Sequence, residues 1–142
     1  MSLRRFHRPR LWLSLWALGW LLCIALSLSP PVPLAMPPGS DKLGHLLSYF
    51  LLAAWAAMLF RGPRALLPAG LSLLLLGAGL EVLQATLTEQ RLGEWQDLAA
   101  NALGIAAGLA VAGTRAAAAL EWLDGAMAGK RGREAGERNP GA

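Results

Sequence analysis

Seven polar side chains interrupt three apolar stretches of this chain, and their chemistry suits acid–base catalysis or ligand binding. Stretch by stretch, they are Asp41, His45 and Tyr49; Glu81 and Gln84; and Asp97 and Asn101. An ionisable group at the middle of a membrane span costs about 2.5 kcal/mol or more. Chains rarely keep such residues without a use for them, so these positions predict a polar site within an apolar protein.

The spacing within each group places its members on one face of a helix. A helix turns about 100° per residue, so three positions spaced by four fall within an arc of roughly 80°. Each face is polar at one end and apolar or small below it. Three such faces avoid lipid by turning toward one another, and the sequence therefore predicts one site shared by three helices.

The residue types at these positions suit either catalysis or ligand binding. An enzyme would use His45 as general base, oriented by Asp41, with Glu81 as the acid. A binding site would hold an anionic headgroup with two cations and complete it with hydrogen-bonding groups. The binding candidates are Lys42, Tyr49, Gln84, Arg91, Asp97 and Asn101. The alternative is a set of hydrogen bonds that only lock the helices, but a lock rarely needs three acids, a histidine and an arginine.

No metal and no other cofactor is expected from the sequence. His45 has no cysteine pair and no second histidine within the apolar stretches, since His7 lies in the basic amino terminus. Structural zinc sites are usually built from several such ligands. A hard cation on Asp41, Glu81 and Asp97 fits the residue types but has no other support.

Gly104 and Gly108 continue the last polar face toward the carboxyl terminus. Small residues four positions apart let a second helix backbone approach closely. We expect this pair to pack inside the bundle, and a seam between two copies of the chain is the alternative. The oligomeric state is left open.

Composition predicts the elements that position these residues. The chain has 142 residues, of which 55% are hydrophobic and 15% charged. Soluble domains carry about a quarter charged residues. The net charge of +4 does not indicate nucleic-acid binding, because the basic residues form short clusters between apolar runs, as the orientation signals of membrane helices do. The expected fold class is therefore all-α, a polytopic membrane bundle.

Four transmembrane helices are expected, with spans at about residues 11–28, 43–60, 65–87 and 97–120. They form one domain, residues 11–122, between a basic amino terminus, 1–10, and a disordered tail, 123–142. Five prolines between residues 29 and 40 predict a stiff loop before the second span. A cleaved signal peptide is the alternative interpretation of the first span, because four arginines precede it.

The distribution of basic residues predicts the orientation. Eleven of the thirteen Lys and Arg residues lie on one side of the predicted spans, and Lys42 and Arg91 lie on the other. Basic residues concentrate on the cytoplasmic side of membrane proteins. Both termini are therefore expected in the cytoplasm, with the polar site at the external face.

Three motifs resemble the VanZ-like family of small bacterial integral membrane proteins. Residues 41–49 read DKLGHLLSY, residues 81–84 read EVLQ and residues 97–104 read DLAANALG, with Arg91 between the last two. The family pattern is D-K-x-x-H-x-x-x-Y, then E-x-x-Q, an arginine and D-x-x-x-N-x-x-G. The resemblance covers about residues 38 to 112. The link around Arg91 departs from it, since many relatives have a proline shortly before the arginine and a serine after it.

The resemblance implies a multi-pass protein of the bacterial inner, or cytoplasmic, membrane. The family is named after an accessory protein that gives low-level resistance to teicoplanin, a glycopeptide acting on cell-wall precursors outside the membrane. We therefore expect a non-enzymatic role in the cell envelope, with the lipid bilayer and an anionic lipid or lipid-linked cell-wall precursor as partners. The alternatives are a membrane-embedded enzyme acting on such a precursor and a component of a proton-coupled transporter.

Overall fold

The computed structural model of the protein describes residues 2–29, 39–87 and 95–138, and only the backbone of 87 and 131–138. Two short 3-10 helices, Val111–Gly113 and Arg115–Ala118, connect the last two α-helices. The predicted all-α class is confirmed for this part of the chain. Its α-helices are α1 Pro9–Leu28, α2 Ser40–Leu59, α3 Pro63–Leu87, α4 Trp95–Ala110 and α5 Ala119–Arg138.

Proline and glycine set where the helices begin. Pro9 and Pro63 are the first residues of α1 and α3, where the missing amide hydrogen has no helical partner and the fixed φ favours a helix. Gly39 and Gly62 come just before α2 and α3 with φ of 84° and 81°, a left-handed conformation that a Cβ disfavours. Between these breaks the chain is rich in Leu and Ala, which are strong helix formers.

Three of the helices are long and apolar enough to cross a membrane. Their mean hydropathy reaches 2.0 for α1, 1.3 for α2 and 1.9 for α3. A fourth candidate span exists if the segments Trp95–Gly113 and Arg115–Lys130 are taken together, although they are bent by 78°. The structure thus contains three to four helical elements of membrane-spanning length and composition.

The fourth predicted span, residues 97–120, is broken rather than continuous. Helix α4 ends at Ala110, and the bend follows at Thr114. The backbone of Thr114 is extended, and its hydroxyl accepts a hydrogen bond of 3.2 Å from the Ala116 amide. The first helical segment therefore ends before Thr114, and Thr114 caps the next one, as threonine does at helix starts.

Helix α5 runs to Arg138, where the sequence predicted a disordered tail. The amino-terminal segment, residues 2–8, packs against it. Arg4 Nη1 lies 3.0 Å from Glu121 Oε2, and Arg8 Nε lies 3.3 Å from Asp124 Oδ1. These ion pairs join the two ends of the chain, which explains how a helix of polar composition is held in place.

Helix α2 packs lengthwise against α4. Gly104 lies against the Leu46 carbonyl, and a Cβ on Gly108 would lie 2.5 Å from the Phe50 carbonyl oxygen. From the first contact to the second, the residue number rises in both helices, so α2 and α4 run parallel. Both glycines therefore serve close packing within the chain, as small residues do between helices.

Helices α1 and α3 run in the opposite direction to α2 and α4. Residues early in one helix meet residues late in its antiparallel partner. One end of the bundle therefore holds the last turns of α1 and α3 and the first turns of α2 and α4, and we call it the polar end. The contacts are Trp16 with Leu52 and Trp12 with Trp55 for α1, and Gly70 with Leu109 and Gly77 with Asn101 for α3.

The apolar core lies in two clusters along the bundle. One surrounds Leu59 and Phe60, close to the α2–α3 turn, and the other includes Leu52 and Leu73 nearer the polar end. Close van der Waals packing in these clusters holds the helix positions that the polar end depends on.

Candidate functional site

The polar end gathers buried polar side chains from three helices around His45. Glu81 of α3 is 9% exposed, while Asp97 and Asn101 of α4 are 7% and 1% exposed. The side chain of His45, on α2, is 14% exposed. Helical spacing predicted that these faces meet, and the structure places the four side chains in one cluster.

The imidazole of His45 is held between an amide and two carboxylates. Its Nδ1 lies 3.1 Å from Asn101 Oδ1, which is hydrogen-bonding distance. The same nitrogen is 3.8 Å from Glu81 Oε1, and Nε2 is 3.9 Å from Asp97 Oδ2. When Nδ1 carries the proton it donates to Asn101, and Nε2 then offers a lone pair on the Asp97 side.

Lys42 lies at the rim of this cluster and connects an exposed acid to a buried one. Its Nζ is 3.0 Å from Asp41 Oδ2 and 3.6 Å from Asp97 Oδ1. The side chain of Asp41 is 54% exposed. The sequence analysis expected Asp41 to orient His45, whereas in the structure Asn101 hydrogen-bonds the imidazole and Asp41 pairs with Lys42.

Gln84 contacts a residue that the sequence analysis did not select. Its Nε2 donates a hydrogen bond of 2.7 Å to the Ser27 carbonyl, in the last turn of α1. The last four carbonyls of a helix have no intrahelical donor. This general rule was the one reason to expect that the Ser27 carbonyl needs a donor from outside α1. The bond ties the end of α3 to the end of α1.

Tyr49 lies next to the cluster, in the interior of the bundle, and is 1% exposed. Gly77 of α3 makes room for it, since a Cβ there would lie 3.2 Å from the Tyr49 hydroxyl oxygen and 3.0 Å from Asn101 Nδ2. The sequence analysis did not select Gly77. A glycine inside a helix lowers helix stability by about 1 kcal/mol relative to alanine. This unfavourable choice within α3 could have indicated that Gly77 makes room for a neighbouring side chain.

A cavity of about 250 Å³ opens beside His45, between α1 and α2. Cys23 and Leu26 line it from α1 and give it an apolar wall, while His45 and Ser48 line it from α2. Asp41 is at its polar edge. The cavity therefore offers polar and apolar walls to the same ligand.

The charges of the described cluster favour a cation. Asp41, Glu81 and Asp97 supply three carboxylates, and the basic groups beside them are Lys42 and His45. The predicted second cation of the binding site, Arg91, lies outside the described residues. In the part of the chain that the structure describes, an anionic headgroup would therefore meet one lysine and an excess of acids.

Comparisons with known proteins assign no family. No family model matches the chain, and no curated protein and no solved structure matches it. Similarity to the VanZ-like family thus stays a prediction from the motifs, and the site must be interpreted from its own geometry.

Proposed function

We propose that this chain is a multi-pass membrane protein that binds the headgroup of a cell-envelope amphiphile at its polar end. The ligand class is an anionic lipid or a lipid-linked cell-wall precursor, whose anionic group would contact Lys42 at the exposed rim and stay away from the buried carboxylates of Glu81 and Asp97. The observation that carries the proposal is the cavity between α1 and α2, which combines apolar and polar walls. An amphiphile has the same division, and ligand sites typically pair apolar walls with a few placed polar groups.

Exposed leucines support insertion into a membrane. Leu21 and Leu26 on α1 are 63% and 69% exposed, and Leu67 and Leu75 on α3 are 70% and 64% exposed. Contiguous apolar surface is uncommon on soluble monomers but is the normal lipid-facing surface of a membrane helix. We place the protein in the bacterial inner membrane on this basis and on the resemblance of its motifs.

The orientation proposed from the basic residues puts the polar end outside the cell and both termini in the cytoplasm. Lipid-linked cell-wall precursors are exposed on that outer face, and glycopeptides bind them there. A role in glycopeptide (teicoplanin) resistance or in envelope homeostasis follows as the proposed phenotype.

The proposal is tested by lipid mass spectrometry of the protein purified in mild detergent. We expect an anionic prenyl lipid or phospholipid enriched relative to the bulk membrane. Gly44 lines the cavity and has open space where a side chain would project. Gly44→Leu should therefore fill the cavity and lower the retained lipid several-fold.

Gly79→Leu is the matched control for that variant. Gly79 is also an exposed helical glycine with open space around it, but it is not among the residues that line the cavity. It should retain the lipid at the wild-type level. A lipid profile equal to the bulk membrane, or an equal loss in both variants, would overturn the proposal.

A membrane-embedded enzyme acting on the same class of lipid is the second candidate function. The observation in its favour is the contact of His45 with Asn101, which can fix the tautomer of an imidazole that also lies near Glu81. Incubation of the reconstituted protein with a total lipid extract tests it. Enzymatic action predicts a product that accumulates with time and is absent with His45→Gln, and an unchanged extract would exclude it.

A further inference from the structure

We propose that His45, Glu81 and Asp97 bind a divalent metal ion such as Zn²⁺ or Mn²⁺. One ligand atom from each residue can be chosen so that all three lie within 4.8 Å of one another. Imidazole nitrogen suits Zn²⁺, and carboxylate oxygen suits both Zn²⁺ and Mn²⁺. The ion requires no lipid, so this inference goes beyond the proposed function.

The distances are close to those of a coordinated site. Ligand atoms about 2.1 Å from a common ion are about 3 to 4 Å apart. His45 Nε2 lies 3.9 Å from Asp97 Oδ2, at the upper end of that range. Glu81 Oε1 lies 3.8 Å from Nδ1 of the same ring, so the Glu81 side chain must rotate toward Nε2 for all three residues to share one ion.

Asn101 prepares the histidine for this role. Metal-binding histidines usually donate the other ring N–H to a fixed acceptor, which sets the tautomer and the ring orientation. Asn101 Oδ1, 3.1 Å from His45 Nδ1, is such an acceptor, and Asn101 is 1% exposed and therefore well fixed. The Nε2 lone pair is then directed to the Asp97 side.

The buried carboxylate of Asp97 also favours a bound cation. Asp97 Oδ1 is buried and makes no hydrogen bond within the described residues, and its nearest cation is Lys42 Nζ at 3.6 Å. Buried carboxylates are unfavourable unless a cation or several hydrogen bonds compensate them. A doubly charged ion beside Asp97 provides that compensation.

The sequence analysis expected no metal because His45 has no second histidine nearby. The structure shows a different ligand set, one imidazole and two carboxylates from three helices. Three protein ligands leave further coordination positions open, which is the arrangement of metal sites that take an exchangeable ligand. The site therefore suits an ion that can also contact an anionic group.

The test is metal binding by the purified full-length protein, carrying a tag without histidines and stripped with a chelator. Titration with Zn²⁺ and, separately, Mn²⁺ is followed by calorimetry, and elemental mass spectrometry counts the bound metal. We expect about one equivalent of at least one of these ions per chain. Asp97→Asn, Glu81→Gln and His45→Ala should each weaken binding at least about tenfold, and Asn101→Ala by a comparable factor, as loss of supporting residues does elsewhere.

Glu121→Gln is the matched control for Glu81→Gln, because it removes the same charge at the opposite end of the bundle, where Glu121 pairs with Arg4. It should leave the affinity within about threefold of wild type, and Gly44→Leu should keep the metal even where it loses lipid. The conservative Asp97→Asn and Glu81→Gln variants are checked for an unchanged gel-filtration profile. Wild-type protein that binds no more metal than a variant carrying His45→Ala, Glu81→Gln and Asp97→Asn together would overturn the inference. So would an equal loss of affinity from Glu121→Gln and Glu81→Gln.

Discussion

Arg8 and Asp124 form an ion pair between the amino-terminal segment and α5, with 3.3 Å between Arg8 Nε and Asp124 Oδ1. Asp124 is completely buried. Its carboxylate also accepts hydrogen bonds from the backbone amides of His7 and Arg8. One aspartate in the carboxyl-terminal helix thus fixes the backbone just before α1.

Asp124→Asn should release the amino-terminal segment. Asparagine keeps one acceptor oxygen but loses the negative charge, so the hydrogen bonds that the buried carboxylate accepts from His7 and Arg8 weaken, at a cost of about 1.5 to 3 kcal/mol. We expect trypsin to cleave after Arg4 and Arg5 several-fold faster than in the wild-type protein in detergent. Mass spectrometry of the early fragments measures this directly.

Glu121→Gln is the control for that experiment, because Glu121 belongs to the neighbouring but less buried pair with Arg4. Its side chain is 22% exposed. Partly exposed pairs contribute about 1 kcal/mol or less, so cleavage should accelerate only slightly. Equal rates for the two variants would mean that Asp124 is not the main attachment of this segment.

Gly108→Ala should destabilise the bundle. A Cβ there would lie 2.5 Å from the Phe50 carbonyl oxygen and 2.7 Å from the Ala53 Cβ, so α4 and α2 must move apart. Overpacking of this kind costs about 1 to 3 kcal/mol, measured as a lower midpoint of unfolding in detergent. Gly79→Ala has open space and should be neutral or stabilising by up to about 1 kcal/mol. A neutral Gly108→Ala would show that the two backbones are not in close contact.

Asn101→Leu should destabilise the polar end although it keeps the size of the side chain. His45 loses its hydrogen-bond partner in a buried setting, which costs about 1 to 3 kcal/mol. Ser72→Ala is the comparison, because the Ser72 hydroxyl bonds only to the Ala69 carbonyl of its own helix. It should shift the unfolding midpoint by much less. Equal shifts would argue against a structural link between α2 and α4 through His45.

The first three helices could be predicted because their signals are local. Each is a long, mostly apolar run that begins next to a proline or a glycine, so its approximate length and start follow from the sequence. The break at Thr114 was not predicted, because the Ala-rich sequence on both sides favours helix and outweighed the stop and start signals of Gly113 and Thr114. Helix α5 was missed for a related reason: its polar composition indicates disorder, and its acids find their partners more than a hundred residues away.

The candidate site was predictable to the level of helical faces but not of contacts. Spacing selected His45, Glu81, Asp97 and Asn101, because periodicity determines which residues share a face. Which of them touch depends on how far each helix is rotated and shifted, and the packing of Gly104 and Gly108 against α2 sets that. For this reason the sequence paired His45 with Asp41 along one helix, whereas the structure pairs it with Asn101 across two.

Single cysteines test the proposed orientation of the polar end. In a Cys23→Ala background, Ser40→Cys places a thiol at the first turn of α2, and Ser2→Cys places one beside Arg61 at the opposite end. If the basic residues lie in the cytoplasm, a membrane-impermeant maleimide should label Ser40→Cys in intact cells or spheroplasts, and Ser2→Cys only after the membrane is permeabilised. The reverse pattern would place the polar end in the cytoplasm and would exclude binding of an external cell-wall precursor there. Labelling of both thiols before permeabilisation would contradict a bundle whose two ends lie on opposite sides of the membrane.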